Sequence, residues 1–182
     1  MALEPPRNFT IRYSSNIPRL VGLGGSSAIV TATMRALMRF YDLELPKTIL
    51  PSLALSAETD ELKIPAGLQD RVVQTYEGVV YMDFARRLLD KQGHGHYEPL
   101  PRKCLRNVFV AYRAELAEGS EVVHSGLRVR FERGERAVVN AMKQFAAFAE
   151  EGRQALLDGD QKTLAALIDA NFDLRRKICP LN

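Results

Sequence analysis

The chain has 182 residues, of which 46% are hydrophobic and 26% charged, and its formal net charge at pH 7 is +3. This composition is typical of one soluble domain, or of one domain with part of another, and it excludes fibrous and disordered proteins. The basic residues are spread through the sequence and no nucleic-acid-binding module is recognisable, so we expect no nucleic-acid partner.

The two cysteines, Cys104 and Cys179, lie far apart in sequence and have no further ligand at metal-binding spacing. They indicate neither a disulfide framework nor a zinc site, so we expect a reducing, intracellular setting. The first residues lack the basic flank and apolar run of a signal peptide, and no window approaches the roughly 18 uninterrupted apolar residues of a membrane span. We expect a cytoplasmic protein with no membrane partner.

The first predicted elements surround a glycine-rich loop. Phe9 to Ser15 alternate apolar and polar residues, which is the period of a half-buried strand, and Pro18 ends it. The loop GLGGSSA occupies Gly22 to Ala28, and Ser26 or Ser27 can cap the helix that follows, AIVTATMRALMRFYDL. Strand, glycine loop and helix therefore follow one another directly.

Two further helices and a strand are predicted before a polar loop. One helix covers Pro51 to about Leu62, and a short one covers Asp70 to Tyr76. Gly78 leads from the short helix into the strand VVYMDF. The next segment, DKQGHGHYEPLPRK, contains His94 and His96 without a third metal ligand nearby, so it is interpreted as a loop between lobes rather than a metal site.

The last part of the chain is predicted to be helical after one more strand. Leu105 to Tyr112 (LRNVFVAY) is typical of a strand, and GSEVVHS of a loop. AVVNAMKQFAAFAEEGRQALL and TLAALIDANFDLRRK keep apolar residues at three- and four-residue spacing on either side of Gly159, which predicts a hairpin of two amphipathic helices. Because strands and helices are mixed without regular alternation, the predicted fold class is α+β.

The glycine loop is the best candidate for a binding site. Backbone N–H groups at a helix start lack intrahelical partners and carry partial positive charge, and glycines just ahead of them let phosphate oxygens approach. A serine hydroxyl there can ligate an accompanying Mg²⁺. A tight turn with a serine cap is the alternative. The sequence lacks the lysine of a Walker motif, the third spaced glycine of a dinucleotide fingerprint and the serine-hydrolase elbow.

The segments around this loop resemble a known family, the GHMP kinases, which include galactokinase, homoserine kinase, mevalonate kinase and phosphomevalonate kinase. PRLVGLGGSSAIV is similar to the family's second signature, whose proline and glycine-serine loop bind ATP phosphates, and IPAGLQDRV to the segment with its catalytic aspartate. Other segments match the plant-type glucuronokinase branch in order along nearly the whole chain: LSAE, AGLQDRV, GHGHY, VHS and NFDLRR.

The resemblance implies a partial GHMP-kinase-like, two-lobed fold and roles for single residues. Residues 1–100 would be an incomplete N-terminal-type ATP-binding region, and residues 101–182 the start of a C-terminal-type region. Asp70 would accept the proton of the sugar hydroxyl, and Ser27 and Glu58 would ligate Mg²⁺. The ATP phosphates would be bound by Gly22, Leu23, Gly24, Gly25, Ser26, Ser27 and Ala28.

Alternatives remain open for several of these residues. Glu58 belongs to an acidic stretch with Glu61, so either carboxylate is a candidate ligand, and a solvated helix end is the plainer interpretation. Asp70 alone could be a helix cap. A weaker hypothesis places the sugar acid or a phosphate against four residues near the second helix-rich segment, namely His124, Ser125, Arg128 and Arg130.

The implied reaction is ATP-dependent phosphorylation of a sugar or sugar acid, with glucuronic acid giving glucuronic acid 1-phosphate. The alternatives are a catalytically incomplete nucleotide-binding fragment and another GHMP branch acting on galactose or mevalonate. The sequence shows neither the family's N-terminal signature nor its C-terminal glycine-rich signature, so we expect a chain truncated at both ends. Apolar surface left without a partner predicts self-association.

Overall fold

A computed structural model describes residues 8–18, 21–106, 108–112 and 121–179, with side chains from residue 126 onward in the last range. These residues are mostly helical and contain seven α-helices with one two-stranded sheet. The predicted α+β class is therefore confirmed only in part, because the described residues are mostly helical and contain one small sheet. In the described residues, no helix combines the length and the apolarity needed to cross a bilayer.

The described residues divide into two compact units. The first contains the described residues up to Glu98, together with Tyr112; the second contains Pro99–Ala111, apart from residue 107, and the helices after residue 120. Each unit has its own buried residues.

Three helices form the centre of the first unit. Helix α1 spans Gly25–Phe40, α2 spans Leu50–Ser56 and α3 spans Leu68–Tyr76. A proline in the first turn of α2 fits the predicted helix start, since proline has no N–H to leave unpaired there. A π-helical turn, Ala57–Glu61, continues α2, so the predicted helix from Pro51 to about Leu62 is confirmed in extent but not in winding.

The remaining elements of the first unit follow α3. Strand β1 spans Val79–Asp83 and helix α4 spans Arg86–Gln92. Strand β2 spans His96–Leu100, of which the last two residues belong to the second unit, and pairs with β1. The predicted short helix and the strand VVYMDF are confirmed. The segment interpreted as a loop is not one throughout, because it contains the end of α4 and the whole of β2.

Gly95 allows the chain to enter β2 beside β1. A Cβ built on Gly95 would lie 2.5 Å from the Asp83 carbonyl oxygen and 2.8 Å from a ring carbon of Tyr97. The Tyr97 hydroxyl accepts a hydrogen bond from the Gly95 N–H at 3.1 Å, and burial raises the pKa of Tyr97. His94 lies 2.7 Å from the Gly95 carbonyl oxygen through its Nδ1. This part of the chain therefore has a structural role.

The buried centre of the first unit is unusually polar. Its apolar members include Pro51, Ala54 and Val72. Beside them lie five buried polar or charged residues: Ser27, Thr31, Glu58, Arg71 and Thr75. Polar groups that are buried must find hydrogen-bond partners or destabilise the fold. The contacts that satisfy Glu58 and Arg71 therefore define the interior of this unit.

The second unit consists mainly of three helices. Helix α5 spans Glu121–Glu132, α6 spans Arg136–Asp158 and α7 spans Gln161–Ile178. Gly159 ends α6 with a φ of 72°, and Asp160 begins α7 by accepting a hydrogen bond from the Thr163 N–H. The predicted helical hairpin is confirmed. Its buried cluster consists of Ala141, Ile178 and Cys179, with Leu127, Met142, Phe145 and Leu174 packed against them.

Three predicted elements are wrong. Phe9 to Ser15 forms no strand, and neither do the described residues of the predicted strand Leu105 to Tyr112. Their apolar side chains are largely exposed, with Tyr13 70% and Phe109 90% accessible. Alternation favours an extended backbone, but a strand also needs a neighbour for its N–H and C=O groups. The predicted loop GSEVVHS is helical in the part that the structure describes, because α5 begins at Glu121.

Candidate functional site

The glycine loop ends directly at the start of α1. Gly22 and Gly24 have φ values of 73° and 64°, in the left-handed region that favours glycine. Gly24 is the N-cap and has no side-chain cap, so the predicted serine cap is wrong. Instead, the buried Ser27 hydroxyl donates to the Gly24 carbonyl oxygen at 2.8 Å. The first N–H groups of α1 therefore keep the anion-binding character of an uncapped helix start.

Asp70 lies next to this loop. It is in the first turn of α3, and its side chain is 53% exposed. A Cβ built on Gly24 would lie 3.5 Å from the Asp70 carboxyl carbon and 3.6 Å from its Cβ. The structure therefore brings Asp70 close to the loop, although 46 positions separate it from Gly24 in sequence.

Glu58 is fully buried and reaches the same loop from the π-helical turn. The Ser26 hydroxyl donates to Glu58 Oε1 at 2.6 Å. Leu62 N–H donates to the Ala57 carbonyl five residues back, which is the wide turn of a π-helix. Such turns often occur at functional sites. Glu61, the other candidate carboxylate, is exposed.

Arg71 was not singled out in the sequence, although it is central to the site. Its Nε donates to Glu58 Oε2 at 2.7 Å, and one Nη donates to the same oxygen. Its other Nη donates to the Gly67 carbonyl oxygen at 2.9 Å and lies 3.5 Å from an Asp70 carboxylate oxygen. The only sequence signal is its position directly after Asp70, and nothing there indicates a bond to a residue 13 positions earlier.

The charges of these residues do not cancel. Glu58 and Asp70 contribute two negative charges, and Arg71 contributes one positive charge, so one negative charge remains beside the loop. Arg71 has its two shortest contacts with Glu58, and Asp70 is the carboxylate exposed to solvent. Of the two carboxylates, Asp70 is therefore the one that a ligand can reach from solvent.

Two oxygens of the site fit a magnesium ion. Neighbouring ligands of octahedral Mg²⁺ at 2.0–2.1 Å lie about 2.9 Å apart, and Ser26 Oγ and Glu58 Oε1 lie 2.6 Å apart. In the described part of the chain, no three His, Cys, Asp or Glu side chains gather in a way that could hold a metal. A Mg²⁺ ion at these two oxygens would therefore need further ligands from phosphate oxygens and water. The structure places Ser26, rather than Ser27, beside Glu58.

The weaker candidates do not join this group. The side chains of His124 and Ser125 lie outside the described residues. Arg128 is paired with Glu132 at 3.0 Å, and Arg130 is paired with Glu135 at 2.6 Å. Both arginines therefore already have carboxylate partners in the second unit.

Comparison with known proteins finds a family model that is similar to the part of the chain containing these residues. Residues 2–78 match the model of the GHMP kinases N terminal domain. This match includes the glycine loop, Glu58, Asp70 and Arg71.

Curated relatives extend the similarity to nearly the whole chain. Glucuronokinase 1 of Arabidopsis thaliana is 44% identical over 173 residues, which are 94% of this chain and 47% of that protein. Probable glucuronokinase 2 of the same plant is 44% identical over 175 residues, with the same two shares. D-glycero-alpha-D-manno-heptose 7-phosphate kinase of Campylobacter jejuni is 33% identical over 81 residues, 44% of this chain and 24% of that protein.

The chain spans about half the length of the plant relatives that it matches. No solved structure matches it significantly.

Proposed function

We propose that the protein takes part in ATP-dependent phosphorylation of a sugar or sugar acid, because residues 2–78 match the model of the GHMP kinases N terminal domain and this match contains the glycine loop. Glucuronic acid is the proposed acceptor and glucuronic acid 1-phosphate the proposed product, on the basis of the plant relatives' names. The observation that carries the proposal is that Asp70 and the Ser26–Glu58 pair lie at one uncapped helix start.

The loop would hold the ATP phosphates. Gly22 and Gly24 turn the backbone in the left-handed region, so that the chain approaches a ligand without a Cβ in the way. The N–H groups of Gly25, Ser26, Ser27 and Ala28 belong to the first turn of α1, where the helix dipole stabilises negative charge. Ala28 N–H also donates to the Gly24 carbonyl, so the first three are the main proposed donors.

Ser26 and Glu58 would hold Mg²⁺. Ser27, proposed from the sequence, is less well placed because its hydroxyl already donates to the Gly24 carbonyl oxygen. Mg²⁺ would neutralise charge on the phosphates and polarise the transferred group. Glu58 suits this role better than Glu61 because it is buried against the loop and Glu61 is exposed.

Asp70 would act as the general base. An exposed carboxylate at the mouth of the loop can accept the proton of an acceptor hydroxyl aligned with the terminal phosphate. One Nη of Arg71 lies 3.5 Å from an oxygen of this carboxylate. Residues 1–100 would supply this ATP-binding region and residues 101–182 the start of the second region, in a cytoplasmic protein.

Transfer of phosphate from ATP to glucuronic acid tests the proposal. We expect Asp70→Asn to lower the rate by about 10²- to 10⁴-fold, which is the usual contribution of a general base. Asp90→Asn is the matched control, because Asp90 is 68% exposed in α4 and pairs only loosely with Arg86 at 3.6 Å. An Asp70→Asn protein with the rate of the parent chain would remove Asp70 from the mechanism.

A second candidate is a nucleotide-binding protein without turnover, because the uncapped helix start behind the glycine loop would bind phosphates by itself. ATP binding that depends on the loop, without transfer to glucuronic acid, would support this function. Transfer to galactose or mevalonate in the same assay would instead indicate another branch of the family.

A further inference from the structure

The buried contacts of Arg71 are unequal between the two oxygens of Glu58. Arg71 donates to Glu58 Oε2 through both Nε and one Nη, and in the described part of the chain it makes no hydrogen bond to Oε1. The Arg71 side chain is 7% exposed and that of Glu58 is 0% exposed. A guanidinium that donates two N–H groups in a fixed plane also fixes the carboxylate that it binds.

The other end of the guanidinium is fixed as well. Its second Nη donates to the Gly67 carbonyl oxygen at 2.9 Å, immediately before α3. Arg71 is itself in α3, so its fork cannot rotate without breaking this local bond. The result is a rigid connection from α3 to Oε2 of Glu58. Among the described residues, Oε1 then has one donor, the neutral hydroxyl of Ser26.

We propose that Arg71 is a positioning residue for the metal: it holds Glu58 Oε2 so that Oε1 alone serves as the metal ligand beside Ser26. The inference rests on the proposed function, because it assumes that Mg²⁺ binds with the nucleotide at this loop. Ser26 can exchange its bond to Oε1 for a bond to the ion at little cost, since its hydroxyl is neutral and exposed. The charged bonds of Arg71 to Oε2 stay in place during that exchange.

Removal of Arg71 would leave Glu58 buried without its cation. A buried carboxylate in that state turns away toward water or rearranges with its neighbours. Either change removes Oε1 from its position at the loop. The loss therefore concerns the metal-dependent part of nucleotide binding and not the contacts of the phosphates with the helix start.

The test measures ATP affinity by calorimetry in excess Mg²⁺ and in EDTA, and Mn²⁺ binding in the presence of ATP by electron paramagnetic resonance. In Arg71→Met we expect the ratio of the two ATP affinities, and the Mn²⁺ affinity, to fall by about 10- to 100-fold, as is typical when a partner of a metal ligand is removed. ATP affinity in EDTA should stay near that of the parent chain.

Two further variants give the measurement its controls. Arg35→Met removes an arginine of α1 that donates to the Gln74 and Thr75 carbonyl oxygens, so it disturbs α1–α3 packing without touching Glu58. Its affinity ratio should equal that of the parent chain. Arg71→Lys keeps the positive charge but loses the fork, so an intermediate ratio is expected. If Arg71→Met does not fold, Arg71→Lys decides the question.

The outcomes separate this inference from the proposed function. If the parent chain binds ATP more tightly with Mg²⁺ and the folded Arg71 variants keep the same ratio, the positioning role is wrong and the proposed function stands. A higher ratio of ATP affinity in Mg²⁺ to that in EDTA for Arg71→Met would also contradict the positioning role, because it would mean that Arg71 acts only by repelling the ion. If the parent chain binds no ATP in either condition, both proposals fail.

Discussion

Gly24 is the residue on which the loop geometry depends most directly. Its φ of 64° disfavours any residue with a Cβ, and that Cβ would lie 3.2 Å from Ser27 Oγ and 3.5 Å from the Asp70 carboxyl carbon. We expect Gly24→Ala to destabilise the chain by about 1–2 kcal/mol through the left-handed backbone. We also expect weaker ATP binding, because Asp70 and Ser27 must shift. Urea unfolding and calorimetry measure the two effects.

Gly152 offers a control, because its substitution by alanine should change the free energy of unfolding in the opposite direction. It lies inside α6, its φ is not in the left-handed region, and a Cβ there meets nothing within 4 Å. Gly152→Ala should stabilise the chain by about 0.5–1 kcal/mol, since glycine in a helix costs that much relative to alanine. A Gly24→Ala protein as stable as the parent would show that the loop has another conformation in solution.

At the scale of single residues, the sequence indicated which residues could belong to the site better than it indicated their hydrogen-bond partners. The glycine loop and Asp70 were singled out from short motifs, and the structure places them side by side. The choice between Glu58 and Glu61 could not be made in advance, because the π-helical turn changes which carboxylate faces the loop. Arg71 was missed because its partner depends on how α3 packs against that turn, which no local pattern encodes.

At the scale of elements, helices were predicted well and strands poorly. The α6–α7 hairpin shows its apolar spacing and its glycine turn within one continuous stretch. In contrast, the alternation at Phe9 to Ser15 indicates a preference for extended backbone, but it does not indicate whether a neighbouring strand is present to pair with it. In the described residues, only β1 and β2 find each other, and they are separated by a single short helix.

Arg130 connects the three helices of the second unit, and its ion pair with Glu135 should make the stability of this unit pH-dependent. Arg130 of α5 donates to Glu135, the N-cap of α6, and to the Ile178 carbonyl oxygen at the end of α7 at 2.6 Å. The hydrogen bond from Arg130 lowers the pKa of Glu135 below its ordinary value. A lowered pKa means that the pair stabilises the fold above the unfolded-state pKa and loses this effect as pH falls through the folded-state pKa.

Glu135→Gln tests this dependence. We expect a lower melting temperature than the parent chain at about pH 7, and a difference that shrinks toward zero below about pH 4, where glutamate in an unfolded chain is protonated. Thermal unfolding followed by circular dichroism measures it. Glu132→Gln is the control, because the Arg128–Glu132 pair is 80% and 59% exposed and such pairs contribute little. A difference that persists undiminished at low pH would contradict the role of the Glu135 charge.

For the whole molecule, the division into two units predicts which residues a bound nucleotide would contact. Each proposed contact of ATP and Mg²⁺ belongs to α1, the π-helical turn or α3, all within the first unit. A ligand that binds only the folded state stabilises it by about 2.7 kcal/mol at a concentration 100 times its dissociation constant. A bound ligand therefore slows hydrogen exchange at each amide that exchanges only when the unit containing the site unfolds.

Hydrogen exchange with and without Mg²⁺-ATP therefore tests the location of the site. We expect slower exchange in Gly25–Phe40 and Leu68–Tyr76, with the first turn of α1 protected most because its N–H groups would bind phosphate. Amides of Arg136–Asp158 and Gln161–Ile178 make no proposed contact, so their protection should change less. Protection confined to those two helices would place the nucleotide in the second unit, and the Gly24–Asp70 contact would then have no part in binding it.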